Sequence, residues 1–422
     1  MRLEGKTGNR FELVKYLAVL WVALTVTSIA TWLKRFELHE GDLQLYYKYS
    51  LSVLQGQMPY RDFPLEYPPL ALLPMVLPQL ANLGFGFHGY IILFLLQNIL
   101  ITTLIALLLL RVTSYYQLRQ RSLKVLRLYI LLVVLSAPFL IWRFDLFPAL
   151  LTLLALLFVI LEQPAIAGVW LGLGITAKLY PVVLLPIFSA YYLASRKYWS
   201  LLWLLLGSIG ATVVTLLPFA LIAKSQIFSF LLYHQQRGLQ IESLWAGIVS
   251  LAHVFGLTKA SVVINYGAFH LESPLANSIV NLLPLISILS FLGVIAFCLR
   301  SFRREYVMRG KITAESLVIY IVALLLTFIA TSKVFSPQYL IWLLPFAPLI
   351  RPRQLRLMIG IFALTTLIFP GAYDRLVKMQ ALLVLVLNLR NLFLVVLLVW
   401  LLIERPPASV KPSLHQPFMM TR

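Results

Sequence analysis

The chain has 422 residues, of which 61% are hydrophobic and only 12% charged, with a mean hydropathy of +0.89. Soluble domains carry about a quarter charged residues, so a water-soluble globular protein is excluded and the bilayer is the solvent. The net charge of +20 would suggest nucleic acid in a soluble protein. Here the Lys and Arg residues stand in short loops between apolar stretches, where membrane topology explains them, and no nucleic-acid partner is expected. The single cysteine, Cys298, lies in an apolar run, which excludes an internal disulfide or a cysteine metal cluster.

A spanning helix needs roughly 20 apolar residues. The hydropathy pattern predicts twelve spans, at 13–33, 89–111, 126–142, 145–161, 165–177, 179–194, 200–223, 277–299, 314–332, 338–350, 357–370 and 381–403. The first is too long for a signal peptide and lacks a small-residue cleavage site, so it reads as a retained helix. Twelve spans put both termini in the cytoplasm, with Arg119, Arg121, Lys124, Arg196, Lys197, Arg300, Arg303, Arg304, Arg351 and Arg353 in cytoplasmic loops, as the positive-inside rule requires. The spans 165–177 and 338–350 are short, and half-length helices pair or line a cavity where protein buries the freed backbone. The expectation is an all-α multi-spanning protein: one integral membrane domain over 1–405, external loops at 34–88 and 224–276, and a mobile cytoplasmic tail at 406–422.

The external loops are rich in aromatic and apolar residues, which predicts short amphipathic helices lying on the membrane rather than disorder. In the first, Glu37 to Tyr47 gathers Glu37, His39, Glu40 and Asp42 just after a span ends. Leu43, Tyr46 and Tyr47 follow helical spacing, which predicts a surface helix starting at Asp42. Asp42 is then either its N-cap or a general base for an acceptor hydroxyl. The stretch Glu66 to Asn82 holds Pro68, Pro69, Pro74 and Pro78 and cannot be a spanning helix. Arg61, Asp62 and Glu66 read as a solvated set, with Tyr67 beside them at the interface.

Arg143 and Asp145 stand in a tight turn between two spans, where Asp145 either caps the next helix or borders a headgroup pocket. Lys178 is flanked by apolar runs on both sides. An ionisable residue so placed is costly and is a functional candidate by default, here as a cation for a phosphate, against the alternative of snorkelling to an interface. In the second loop, Arg237 can clamp a phosphate, while His234, Gln240 and Glu242 can contact sugar hydroxyls or move a proton. Lys333 is a further phosphate candidate, followed closely by Gln338.

In their order along the chain, Gly41-Asp42, Gly56 to Leu70, Arg143 to Pro148, Ala177 to Pro181, Arg237 to Leu244 and Ser336 to Tyr339 resemble segments of the polyprenol-phosphate-mannose-dependent mannosyltransferases of glycosyltransferase family 87, in the GT-C class. The segments Gly56 to Leu70 and Ser332 to Trp342 are also similar, more distantly, to the mannosyltransferase that adds the first mannose to GPI anchors. The resemblance implies a GT-C-type fold whose first external loop carries a catalytic aspartate, matched by Asp42. It also implies inverting transfer of a hexose, mannose foremost, from a polyprenyl-phosphate donor to a lipid-linked or cell-envelope glycan acceptor on the non-cytoplasmic face.

Within that expectation Asp42 and His234 are the catalytic candidates, and Lys178, Arg237, Lys333 and Arg143 are the donor-phosphate candidates. His39, Glu40, Tyr46, Tyr67, Asp145, Gln240, Glu242 and Gln338 are the candidates for holding substrate. Glu40-Gly41-Asp42 fits a Glu-X-Asp form found in GT-C enzymes, which admits a divalent metal without requiring one, because basic residues can take its place; no metal ligands are assigned. The expected setting is a bacterial or archaeal plasma membrane. The rival expectation is a polytopic flippase or transporter of lipid-linked sugars, but no internal repeat of the inverted kind is visible.

Overall fold

A computed structural model describes residues 4–115 and 122–404, with side chains from residue 11 onward apart from that of His234. The expected tail 406–422 and the loop residues Arg119 and Arg121 lie outside the described residues.

Among the described residues, eight helices are long and apolar enough to cross a membrane. They are α1 (Glu4–Arg35), α4 (Gly86–Tyr115), α5 (Ser122–Leu140), α9 (Tyr198–Ala223), α12 (Pro274–Arg309), α13 (Ala314–Thr331), α14 (Pro352–Thr366, its apolar stretch running on to Gly371) and α16 (Ala381–Ile403). The other four expected spans are shorter apolar pieces, below that length. Of these, α6 (Leu146–Ile160) and α7 (Pro164–Ala177) have 15 and 14 residues. At 1.5 Å per residue each is about 22 Å long, against a hydrocarbon core of about 30 Å. The stretch 179–194 divides into a 3-10 turn, Tyr180–Leu184, and a ten-residue helix α8 (Leu185–Ala194).

The segment 338–350 is not an α-helix. It forms two 3-10 turns, Pro337–Leu343 and Ala347–Leu349. Pro345 and Pro348 remove two backbone donors from this stretch and break the α-helical pattern. These short pieces are buried among the long helices, as irregular backbone at such depth has to be. The helices α7 and α9 approach backbone to backbone. A Cβ added at Gly168 would stand 2.1 Å from the carbonyl oxygen of Leu204, and one at Gly172 2.3 Å from that of Ser208.

The two long loops, 34–88 and 224–276, carry more structure than surface helices alone. In the first, α2 (Glu37–Leu54) follows α1 after one residue, and the proline-rich stretch forms α3 (Leu72–Leu80). The second holds α10 (Ser229–Gln236), α11 (Leu244–Val254) and a small antiparallel sheet of β1 (Leu239–Gln240), β2 (Ser261–Asn265) and β3 (Ala268–Glu272), in the order β1-β3-β2. The β-branched run Val262, Val263, Ile264 favours a strand. Tyr266 and Gly267 link β2 to β3 with φ of 46° and 66°, the left-handed pair that a two-residue hairpin needs.

Candidate active site

The floor of the site is built from three distant parts of the chain. Asp145 occupies the N-cap position of α6 but makes no capping hydrogen bond. Its Oδ1 instead accepts from Lys178 Nζ at 2.7 Å and from Trp342 Nε1 at 2.7 Å. Lys178 ends α7 in extended conformation, which turns its side chain away from the helix axis and towards Asp145. Asp145 is fully buried, and a charge so placed survives only when paired and hydrogen-bonded. Aromatic rings close around the ammonium: Nζ lies 4.8 Å from the ring centre of Phe144, 5.7 Å from Trp342 and 5.8 Å from Tyr67. Trp342 is fixed in turn between Tyr339 and Tyr180, stacked at 4.0 and 4.2 Å.

Above this floor opens a cavity of about 540 Å³. On one side Asp42 and Arg143 form an ion pair that faces it. Asp42 is the sixth residue of α2, whose N-cap position is Phe36, so it does not cap the helix. The helix begins earlier than the spacing predicts because Glu37 to Gly41 run on from α1 with no breaker between them, and this frees the Asp42 carboxylate for Arg143. Asn98 on α4 holds the Arg143 turn, donating from Nδ2 to the carbonyls of Ile141 (2.7 Å) and Arg143 (3.1 Å).

The second long loop supplies another wall, with Tyr233, Arg237, Gln240, Glu242 and the hairpin tip Tyr266-Gly267 all lining the cavity. Among the described residues Arg237 has no ion-pair partner, and its buried Nε has no hydrogen-bond partner. Burial pushes the Glu242 carboxyl up to about 8, although Arg390, a hydrogen bond from Tyr373 and the charge of Arg143 pull the other way. Burial likewise raises Glu66, against a hydrogen bond from Tyr233. Ser336, Gln338 and Tyr339 complete the lining together with Phe369 and Tyr373.

Of the residues singled out by sequence, Asp42, Tyr67, Arg143, Lys178, Arg237, Gln240, Glu242 and Gln338 therefore meet in one cavity, and Asp145 lies directly beneath it. Others lie elsewhere. His39 is fully buried with its ring stacked on Trp142 at 5.3 Å; burial and Arg143 push its pKa down to about 2, leaving a neutral imidazole behind the wall. Tyr46 is buried edge-on against Phe144, and Glu40 accepts from Gln44 on the same helix. Lys333 donates to the Gln235 carbonyl at 2.6 Å and lines a separate groove with Val280, Phe291 and Phe328. His234 stands on α10, and its side chain lies outside the described residues.

The structure adds Glu66, Tyr233, Tyr266 and Tyr373 to the lining, and places Trp342 and Arg390 behind it. A lone arginine within the apolar run 381–403 was the sequence signal for Arg390. No three His, Cys, Asp or Glu side chains among the described residues are grouped so as to hold a metal ion.

The sequence model of glycosyltransferase family 87 matches residues 65–328, more than half of the chain, and the chain belongs to that family. The matched region includes Tyr67, Arg143, Asp145, Lys178, Arg237, Gln240 and Glu242, while Asp42, Lys333 and Gln338 lie beyond it. No curated protein matches the chain.

Proposed function

We propose that this integral membrane glycosyltransferase transfers a hexose, mannose foremost, from a polyprenyl-phosphate donor to a lipid-linked or cell-envelope acceptor on the non-cytoplasmic face, with inversion. The observation that carries the reading is the meeting of the Asp42 carboxylate with three cations, Arg143, Lys178 and Arg237, in a single aromatic-lined cavity.

Such a transfer needs a base for the acceptor and positive charge for the leaving group. The acceptor oxygen attacks the anomeric carbon of the donor sugar, and its proton passes to the Asp42 carboxylate. The bond from the anomeric carbon to the phosphate oxygen breaks, and its electron pair leaves with the polyprenyl phosphate. Arg143 and Lys178 are already paired with Asp42 and Asp145. Arg237 is not, which makes it the cation with most to gain from a phosphate, since an arginine fork can bind phosphate oxygens bidentately. Side-chain cations can thus meet the leaving phosphate without a required metal. The proposed setting is a bacterial or archaeal plasma membrane with both termini cytoplasmic.

The test is transfer of labelled sugar from polyprenyl-phosphate-mannose in proteoliposomes supplied with a lipid acceptor extract. Wild type is expected to make labelled product, and Asp42→Asn to lose about 10²- to 10⁴-fold in rate. Movement of labelled lipid across the bilayer with no product from mannose or glucose donors would replace the transferase reading with a flippase.

A further inference from the structure

The transfer step uses Asp42 and the cations and leaves Gln240 and Glu242 of the cavity wall without a task. Gln240 ends β1, its backbone N–H donating to the Lys333 carbonyl at 2.9 Å. Its side chain is 3% exposed: Nε2 donates to Glu242 Oε2 at 3.3 Å, and Oε1 is buried without a partner. Glu242, also 3% exposed, takes a second, long hydrogen bond from the Tyr373 hydroxyl at 3.4 Å. The carbonyl of Glu242 accepts from Arg390, whose guanidinium lies 3.9 Å over the ring of Phe335. Among the described residues no cation is within ion-pairing distance of the Glu242 carboxyl.

A carboxyl buried this way favours its acid form, and the protonated group has a hydrogen to donate. Gln240 Oε1 has lone pairs and nothing to accept from, a costly state in a buried wall until a ligand supplies a donor. A donor and an unfilled acceptor two residues apart on one wall match the needs of neighbouring hydroxyls on a sugar ring. A phosphate, which offers oxygens but no proton at neutral pH, would leave Gln240 Oε1 unfilled. Gln240, Glu242 and Tyr373 all line the cavity that holds the cations, so a sugar bound there stays joined to a phosphate at Arg237.

We propose that Gln240, Glu242 and Tyr373 form the sugar-ring subsite, which binds a neutral, hydroxylated hexose through a pair of ring hydroxyls. This inference rests on the transferase reading above. The titratable and charged groups around Glu242 are Arg390 on α16, Tyr373 on α15 (Tyr373–Val377), Arg143 in the α5–α6 turn and, across the ladder from Gln240, His270 on β3. Burial and the charge of Arg237 lower His270, so it adds no positive charge at neutral pH. With the Glu242 carboxyl raised to about 8, its donor is present below that pH and is lost as pH rises through it.

The test measures kcat/KM for polyprenyl-phosphate donors of mannose and of its singly deoxygenated analogues, in wild type, Gln240→Ala, Glu242→Gln and Tyr373→Phe proteoliposomes. In wild type, removing at least one ring hydroxyl is expected to cost about tenfold or more, because its buried partner is then left unsatisfied. In Gln240→Ala that penalty is expected to shrink towards onefold, because the partner is already gone. Wild type is also expected to lose kcat/KM at alkaline pH with a midpoint near 8, and Glu242→Gln to lack that limb. A deoxy penalty unchanged in every variant, or an alkaline limb retained in Glu242→Gln, would overturn the subsite while leaving the transferase intact. Absence of transfer by wild type from any sugar donor would instead overturn the transferase reading.

Discussion

Replacing Asp145 with leucine removes the ion-pair partner of a lysine whose side chain is 13% exposed and ringed by Phe144, Trp342 and Tyr67. Breaking a buried ion pair from one side costs about 3–5 kcal/mol, because the remaining charge is left uncompensated. The Trp342 indole N–H loses its acceptor as well, which adds about 1–3 kcal/mol. Taken together, about 4–8 kcal/mol is a large share of a typical stability of about 5–15 kcal/mol. Asp145→Leu alone should therefore melt far below wild type. Lys178→Met removes the stranded ammonium, so the double variant Asp145→Leu/Lys178→Met should be more stable than the two single losses predict, with a coupling of about 2–3 kcal/mol. The assay is thermal unfolding in detergent, followed by tryptophan fluorescence at one fixed scan rate, because such proteins unfold irreversibly and only matched scans compare. Losses in melting temperature that simply add would show that the two side chains are not coupled, and the floor would have to be rebuilt.

Two further outcomes follow from the same geometry. Arg237→Ala should raise KM for the lipid-phosphate donor by about 10- to 100-fold, the worth of one charge-assisted contact, while Arg237→Lys recovers only part of it; an unchanged KM would remove Arg237 from the phosphate site. Gly168→Leu should prevent the approach of α7 to α9, since even a Cβ at Gly168 meets the Leu204 backbone at 2.1 Å. The expected cost is about 3 kcal/mol or more, seen as a lower yield of monodisperse protein in detergent, and wild-type yield and melting would refute the close packing.

Much of the architecture is legible from hydropathy because eight stretches among the described residues are long and apolar enough to state their own role. Lengths alone do not say what the shorter stretches become. Pro345 and Pro348 were the signal that 338–350 is not a regular helix, and the run Val262-Val263-Ile264 before Tyr266-Gly267 was the signal for a hairpin. Both are local and could be read. The pairing of Asp145 with Trp342 could not, since 197 residues separate them and no spacing rule spans that distance. Lys178 stood out as a charge between apolar runs, and by the same reasoning so does Arg390. His39 shows the opposite error. An imidazole three residues before Asp42 reads as a partner of the site, yet it is packed on Trp142, and only the tertiary fold decides between the two.

The short helices also explain why the charges of the floor can be buried at all. A helix of membrane-crossing length ends at an interface, where water satisfies its terminal N–H and C=O groups; α6 and α7 reach the exposed Glu162 and Gln163 at one end only, and at the other α6 begins at the fully buried Asp145 and α7 ends at the mostly buried Lys178. Asp145 stands at the N-terminus of α6, where the helix dipole is positive, and Lys178 at the C-terminus of α7, where it is negative. Each charge therefore meets a favourable helix end, worth about 0.3–2 kcal/mol apiece, before the two meet each other. Moving either residue one turn into its helix would forfeit that term and direct the side chain into apolar packing. The brevity of α6 and α7 is thus what brings an acid and a lysine together beneath the cavity, and a variant that lengthened α7 past Lys178 should lose the ion pair even with both residues in place.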